Sequence, residues 1–261
     1  MKSDGLLKST MLSDMRKGIL YILAETPMSL AELRAHFDVT SASIIPRIKD
    51  LVKADLVIKD DGKYFLTTTG GILVKKLRAM DNLERVIEND GGYLNTHDLS
   101  PIPADLIDRI DELGDCKVIK NEMEHITATH DQIYGNLPKA KKIMGISPVL
   151  DPEYPKIYMG LLKLGIPVSL IITKNIYKKV EKDYSPFLKE FLSHDNARMY
   201  VIDDVRLVLV VTNDFISMYL YNKNGTFDSM SSLFSADESA AKWGAELFEK
   251  YLQKAKEIKI K

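Results

Sequence analysis

The side chains best suited to chemistry cluster between Ser29 and Lys63. Ser41, Ala42, Ser43, Pro46, Arg47 and Lys49 occupy one short stretch, and Ser29 and Thr40 each precede an apolar-periodic segment where an N-cap belongs. Arginine carries a planar fork of donors for a base edge or a phosphate, and lysine a compact charge for a phosphate. Small residues allow close approach to a groove. Backbone N–H groups at helix starts add further anion contacts. Lys59 and Lys63 flank Asp60 and Asp61; the lysines suit backbone phosphates, while the acidic pair resists insertion into a minor groove. This is the chemistry of reading a duplex.

Short elements must position these groups. Leu12, Met15, Ile19, Leu20, Ile22 and Leu23 fall on a helical repeat that breaks at Glu25-Thr26-Pro27. Ser29 and Glu32 have capping-box spacing ahead of Leu30, Leu33 and Phe37. After Asp38-Val39-Thr40, a third helix carries Ile44, Ile48, Leu51 and Val52 on one side. Its opposite face holds Ser43, Arg47 and Asp50, with Ser41, Ala42, Pro46 and Lys49 near the leading edge. Pro46 admits two readings: the helix begins nearer Ile45, or the proline reshapes the surface offered to the groove. Leu56 to Lys59 and Lys63 to Leu66 are β-prone runs about an Asp-Gly turn. Three helices and a two-stranded ribbon are the order of a winged helix-turn-helix, an α+β domain expected over residues 1–70.

Charge is divided unevenly along the 261 residues. Residues 1–80 hold 13 lysines and arginines against 9 acidic residues, and the remainder holds 23 against 28, which together give the net −1. A basic head on an acidic body fits a nucleic-acid domain joined to something with another task. The length predicts a second domain with a full core. A single cysteine, Cys116, excludes an intrachain disulfide and a multi-cysteine zinc cluster, and its apolar neighbours suggest a packed thiol. No apolar run approaches the roughly 20 residues of a membrane span, and no leader pattern follows Met1, so a cytoplasmic protein is expected.

Beyond the ribbon, Leu73, Leu77, Met80, Leu83 and Ile87 recur at three and four residues. Residues 71–92 are therefore expected to form a linker or dimerisation helix, stopped by Asn89-Asp90-Gly91-Gly92. Asp105 to Leu113 reads as a short helix, Cys116 to Ile119 as a brief strand, and Met123 to Tyr134, on to Lys141, as a helix. Strands then alternate with helices: strands at 142–147, 166–173 and 198–201, helices at 155–164, 175–183 and 186–193. A hairpin-like pair at 205–212 and 215–221 and a terminal helix at 238–256 complete the chain. Residues 93–261 thus read as an α/β sandwich with a mixed sheet.

Catalytic patterns are missing from this second domain. It has no glycine-rich phosphate loop, no His-Glu-x-x-His and no Gly-x-Ser-x-Gly elbow, and His125 and His130 are badly spaced for one metal ion. Neither an enzymatic role, a cofactor nor a metal site is expected. A small-molecule site is expected where α/β sheets usually hold ligands, at the strand ends near Ser147 and Thr173-Lys174, with Tyr154, Tyr158, Tyr177 or Trp243 as walls.

Four stretches carry a family likeness: Ala42 to Val57; Leu99-Ser100-Pro101-Ile102-Pro103 with Ile110 to Leu113; Gly145 to Val149 with Leu164 to Thr173; and Asp237 to Tyr251 around Trp243-Gly244. Together they resemble the archaeal transcriptional regulators named for the methanogen filamentation regulator, over most of residues 12–253. That resemblance implies a winged helix followed by a larger domain that senses an effector or mediates assembly. Asp55 replaces the glycine usual between helix and wing, and Pro46 is unusual for the family. The second domain also resembles, faintly, the phospholipase D fold; the catalytic His-x-Lys is absent, since His194 precedes Asp195-Asn196.

The expectation is a homodimeric, sequence-specific DNA-binding transcriptional regulator with a ligand-sensing second domain. Double-stranded DNA, a second copy and a small-molecule effector are its partners. The alternatives are a non-catalytic scaffold using the winged helix for protein contacts, and a small-molecule enzyme.

Overall fold

The computed structural model describes residues 13–120 and 135–259. The chain divides into two compact units, Met1–Asp81 and Asn82–Lys261. The expected helix from Met123 to Tyr134, with His125 and His130, and the lead-in before Ser13 lie outside the described residues.

In the first unit, Ser13 caps α1 (Asp14–Glu25) by accepting from the Arg16 N–H. Met28–Ser29 is a two-residue strand, β1. The helices α2 (Leu30–Phe37) and α3 (Ser41–Lys53) follow, then the hairpin of β2 (Val57–Asp60) and β3 (Lys63–Leu66). Asp60 pairs with Lys63, so Asp61 (φ 41°) and Gly62 (φ 77°) form the two-residue turn with both φ positive that suits the twist of a hairpin. β1 adds to the far side of β3, giving the order β1-β3-β2. The sequence carries no strand signal at Met28–Ser29. Ile19, Leu20, Leu33, Ile44, Ile48, Leu51, Leu56 and Val57 form the core. This helix and strand pattern is that of a winged helix.

The long helix α4 spans Thr68–Asn89, beginning before the two glycines that precede the expected apolar stripe. Thr67 Oγ1 accepts from the Gly70 N–H at 3.0 Å and donates to the Asp55 carbonyl at 2.7 Å. Val74 and Leu77 belong to the first unit's core and Val86 to that of the second. Asp81 accepts from the Lys17 ammonium at 2.8 Å and the Tyr21 hydroxyl at 2.6 Å, tying α1 to α4. Of the expected stripe, Leu77 is buried, while Met80, Leu83 and Ile87 are exposed.

The second unit is built on an eight-stranded mixed sheet. Its strands are β4 (Lys117–Lys120), β5 (Ile143–Ser147), β6 (Val168–Thr173), β7 (Ala197–Ile202), β8 (Leu207–Val211), β9 (Ile216–Leu220), β10 (Ser231–Ser235) and β11 (Lys256–Glu257). The order is β11-β7-β6-β5-β8-β9-β10-β4. β5, β6 and β7 are mutually parallel, and the other pairings are antiparallel. Alternation along the strands feeds two cores, as a period of two requires. Leu207, Leu209 and Val211 enter one, and Val208 and Val210 pack into the other. The first is covered by α10 (Glu238–Leu252) through Trp243, Leu247, Phe248 and Tyr251. The second is covered by α7 (Tyr154–Lys163), α8 (Lys174–Asp183) and α9 (Ser185–Ser193). The result is an α/β sandwich.

Two short helices, α5 (Tyr93–Thr96) and α6 (Ala104–Ile107), precede β4. The single helix expected over Asp105–Leu113 is instead α6 followed by a 3-10 turn at Ile110–Leu113. The Leu106 carbonyl accepts from the buried Trp243 indole at 2.9 Å, which satisfies the one polar atom of that side chain. The expected continuation of helix to Lys141 is replaced by a 3-10 turn at Leu137–Lys139 containing Pro138. The terminal helix stops at Leu252, and Lys256–Glu257 pairs with β7. Ser231–Ser235 was not expected as a strand because its serines mask the alternation, yet Ser232 and Ser235 are buried.

A Cβ on Gly70 would stand 2.2 Å from the Leu56 carbonyl oxygen, whereas one on Gly71 would meet nothing within 4 Å. Gly70→Ala is expected to cost about 1–3 kcal/mol, the usual range for overpacking. Gly71→Ala should be neutral or stabilising by up to about 1 kcal/mol, since alanine favours helix. Urea unfolding of the two variants measures the difference.

Candidate nucleic-acid interface

α3 is held by its ends and by its buried face. Thr40 Oγ1 accepts from the Ser43 N–H at 3.3 Å, and Ile44, Ile48 and Leu51 are buried. The side directly opposite that buried line carries Ala42, Pro46, Lys49 and Lys53, spaced by four, three and four residues and all exposed. Small residues lead the stripe and two lysines close it. Lys53 was not among the expected contacts. Its signal was the step of four from Lys49, hidden by the choice of Ser43, Arg47 and Asp50 as the central exposed line.

Those three residues occupy the flank of the helix. Ser43 and Arg47 are half-buried, and the Arg47 guanidinium donates to the Ser43 carbonyl one turn earlier. Asp50 forms an ion pair with Arg16 of α1. Its carboxylate is thus partly neutralised beside a surface that would otherwise repel phosphate. Ser41 lies in the first turn, half-buried.

Pro46 is the sixth residue of a helix running unbroken from Ser41 to Lys53. The reading in which the helix begins nearer Ile45 is therefore excluded. Lacking an N–H, Pro46 leaves the Ala42 carbonyl without its usual intrahelical donor. Both residues sit on the exposed stripe, so the proline alters the polar groups presented there.

α2 starts from Ser29, whose hydroxyl accepts from the Glu32 N–H at 3.3 Å while the Ser29 N–H donates to Glu32 Oε2 at 2.7 Å. This capping box holds the Glu32 carboxyl below its ordinary range, chiefly through the Ser29 N–H. On the hairpin, Lys59 lies 5.6 Å from the centre of the Tyr64 ring across the strand pair. Lys63, Asp60 and Asp61 are exposed at the tip.

α3 ends in a closed cap. The Leu56 N–H donates to the Leu51 carbonyl and the Asp55 N–H to the Val52 carbonyl, both at 3.0 Å. This double bond pattern needs a left-handed residue after the helix, usually glycine. Asp55 fills the place at φ 57°. Asp38 does the same after α2 at φ 49°, where the Val39 N–H reaches back to the Arg34 carbonyl.

The residues expected at a ligand site in the second unit divide into two groups. Ser147, Tyr154 and Tyr158 line one narrow cleft on the α7 side of the sheet, together with Gly145, Leu170 and Val208. The cleft has a cavity volume of about 40 Å³, room for no more than a water or two. Thr173 and Lys174 lie outside its lining. Thr173 caps α8 by accepting from the Ile176 N–H, and Lys174 pairs with Asp203 at 2.6 Å. Ser147 Oγ is held at the Val149 backbone, donating to the carbonyl and accepting from the N–H. Burial pushes the Tyr158 hydroxyl well above its ordinary value. Burial likewise pushes the Cys116 thiol up to about 11, as befits a packed and unreactive group. Among the described residues, no group of three His, Cys, Asp or Glu could hold a metal ion. No helix among them is long and apolar enough to cross a membrane.

Comparison with known proteins places both units in one family. Residues 5–88 match "Methanogenesis regulatory protein FilR1, N-terminal domain", and residues 126–254 match the middle domain of the same protein. The methanogenesis regulatory protein FilR1 of Methanothrix harundinacea (strain 6Ac) is 27% identical over 251 residues, covering 94% of this chain. The chain spans only 56% of that relative's length. Among solved structures, TrmBL2, described as an archaeal chromatin protein, gives a TM-score of 0.44 at 15% identity, over 96% of this chain and 97% of that one. The phospholipase D family member Nuc from Salmonella typhimurium gives 0.42 at 11% identity, over 56% of this chain and 99% of that one. With TM-scores below 0.5, neither likeness bears on the function of this chain.

The left-handed backbone at Asp55 sets a stability expectation. Asp55→Gly should stabilise by less than about 1 kcal/mol, because relief of strain is offset by greater freedom of the unfolded chain. Asp55→Val should cost about 1–3 kcal/mol, since a β-branched residue is poorly tolerated there. Thermal unfolding followed by circular dichroism distinguishes the two.

Proposed function

The chain belongs to the family of the methanogenesis regulatory protein FilR1, and from that premise we propose that it is a sequence-specific DNA-binding transcriptional regulator, homodimeric and controlled by a small molecule. It is regulatory rather than catalytic. The observation that carries the reading is the exposed stripe of Ala42, Pro46, Lys49 and Lys53, opposite the buried Ile44, Ile48 and Leu51. α3 would lie in the major groove with Ala42 and Pro46 against base edges and the two lysines toward phosphates. Arg47 would leave the Ser43 carbonyl to reach a base or a phosphate. The N–H groups at the starts of α2 and α3, set by Ser29 and Thr40, would meet the backbone along with Ser41 and Ser43. Lys59 and Lys63 on the hairpin would touch flanking phosphates. The functional division proposed is DNA binding in 1–70, a linking helix in 71–92 and sensing in 93–261, with the protein in the cytoplasm beside its DNA. A phospholipase D-like sandwich without the His-x-Lys pair belongs to the same proposal.

α4 supports the dimer. Ile72 is 60% exposed, Met80 49%, Leu83 37% and Ile87 60%. At 100° per residue these four side chains fall within one arc of about 80°. Ile72 and Ile87 lie equally far from the Ala79–Met80 bond, so a two-fold axis there would set those two against each other. A second copy would cover the stripe and supply the two heads that tight reading of half-sites requires. The small molecule would bind beside Ser147, Tyr154 and Tyr158. Thr173 and Lys174, also expected at this site, would serve only by way of the adjoining start of α8.

Two measurements test these readings. Binding to genomic fragments, followed by fluorescence anisotropy across a salt series, should weaken on Lys49→Ala or Lys53→Ala, each lowering the salt slope by about 1. Unchanged affinity and slope in the double variant would remove the DNA reading. Separately, Met80→Glu should convert the dimer to a monomer in analytical ultracentrifugation while leaving the circular dichroism spectrum unchanged. A wild type that sediments as a monomer would remove the seam.

A further inference from the structure

The exposed stripe of α3 begins with two residues that carry no polar side-chain atom, Ala42 and Pro46. Ser41 and Ser43 beside them are half-buried, and the Arg47 guanidinium donates to the Ser43 carbonyl. Lys49 and Lys53 come later along the helix. Over its leading half, the stripe therefore offers a base edge no side-chain donor or acceptor of its own.

The backbone supplies one instead. A helical carbonyl is ordinarily silent toward a groove, because it accepts from the N–H four residues on. For Ala42 that residue is Pro46, which has no N–H and whose ring crowds the place where the bond would lie. α3 nonetheless runs from Ser41 to Lys53 without a break, held by the Thr40 cap and by the buried Ile44, Ile48 and Leu51. The Ala42 carbonyl thus keeps an acceptor position that the helical ladder does not fill. In the free protein water serves it, since Ala42 and Pro46 are both exposed. Against a duplex that water is displaced, and the position is answered by the base edge or left empty at a cost.

We infer that the Ala42 carbonyl, released by Pro46, reads one exocyclic amine in the major groove, adenine N6 or cytosine N4. Those amines are the donors that the major groove displays. Guanine O6 and thymine O4 stand in the same places as acceptors and are rejected, lone pair against lone pair. The inference rests on the DNA-binding reading of α3 and adds the class of base edge selected there. Pro46 becomes a specificity-determining residue whose part is to withhold a donor.

Site selection from randomised duplexes by the full chain gives the first test. The wild type should require adenine or cytosine at one position of its site. Pro46→Ala restores the N–H and favours the helix; Pro46→Val restores it while keeping an apolar group of similar size. Both variants should relax the requirement at that position by about 2- to 10-fold, the worth of one hydrogen bond, and leave the other positions and the salt slope unchanged. The second test needs no variant. Purine in place of adenine, or pyrimidin-2-one in place of cytosine, deletes the amine alone; it should weaken the wild type by the same factor and leave both variants unmoved. The analogue that acts tells adenine from cytosine. A wild-type site with no such position, unchanged base preference in either variant, or a wild type indifferent to loss of the amine overturns the inference while the DNA-binding reading stands. A wild type that retains no duplex at low salt removes that reading and this inference together.

Discussion

Three elements of the first unit meet at a single residue, Leu56. The Leu56 N–H closes the end of α3 on the Leu51 carbonyl, and the Leu56 carbonyl accepts from the Thr67 N–H where the hairpin returns. Gly70, in the first turn of α4, packs so near that carbonyl that no side chain fits between them. The helix proposed to read DNA, the wing and the long helix are thereby indexed to one another. Asp55 is the cost of this junction: its left-handed backbone permits the cap, and Thr67 steadies it by donating to the Asp55 carbonyl. A rigid surface matters for recognition, because groups already held in place lose less freedom on binding.

Much of this was legible in the residues themselves. The capping box of Ser29 and Glu32, the Asp-Gly turn and the buried line of Ile44, Ile48 and Leu51 are local signals, set by spacing over a few residues. What escaped was set by distance. Met28–Ser29 becomes a strand only because β3 offers it an edge, and Ser231–Ser235 because β9 and β4 flank it on both sides. Arg16 finds Asp50 across the domain, and no pattern in either segment announces the pair. The exposure of Lys53 escaped for a different reason. Its spacing from Lys49 is readable in the sequence, but the line through Ser43, Arg47 and Asp50 lies about 100° around α3 from the one directly opposite the buried residues. Pro46 contributed, since a proline at that position suggested a later helix start.

A glycine sets the packing on each face of the second unit's sheet. On the α10 face, Gly244 lets the helix come so close that a Cβ would stand 2.7 Å from Ile216 and 2.9 Å from Val211. With Trp243 bonded and fully buried, that face is closed. On the other face, Gly145 lets Leu170 come so close that a Cβ would stand 2.9 Å from it, and α7 places the Tyr158 hydroxyl 3.7 Å from the same point. Each glycine thus permits a close approach on its own face of the sheet. Thr173 and Lys174, read as ligand groups from their place at a strand end, are engaged in a cap and an ion pair instead.

Control of DNA binding by a ligand demands more than two sites in one chain. The ligand must bind two arrangements of the protein with different affinity, and a coupling of about 1–3 kcal/mol corresponds to a 5- to 150-fold change in DNA affinity. α4 has the composition for such a role. Val74 and Leu77 commit its first half to one core and Val86 commits its second half to another, while its exposed stripe runs through both halves. A seam on that stripe would make dimer geometry sensitive to changes in either core. Because the stripe contains Lys76 and Ala79 between its large apolar residues, its packing would be modest in strength. A modest seam suits a switch, since a ligand worth only a few kcal/mol has to shift it.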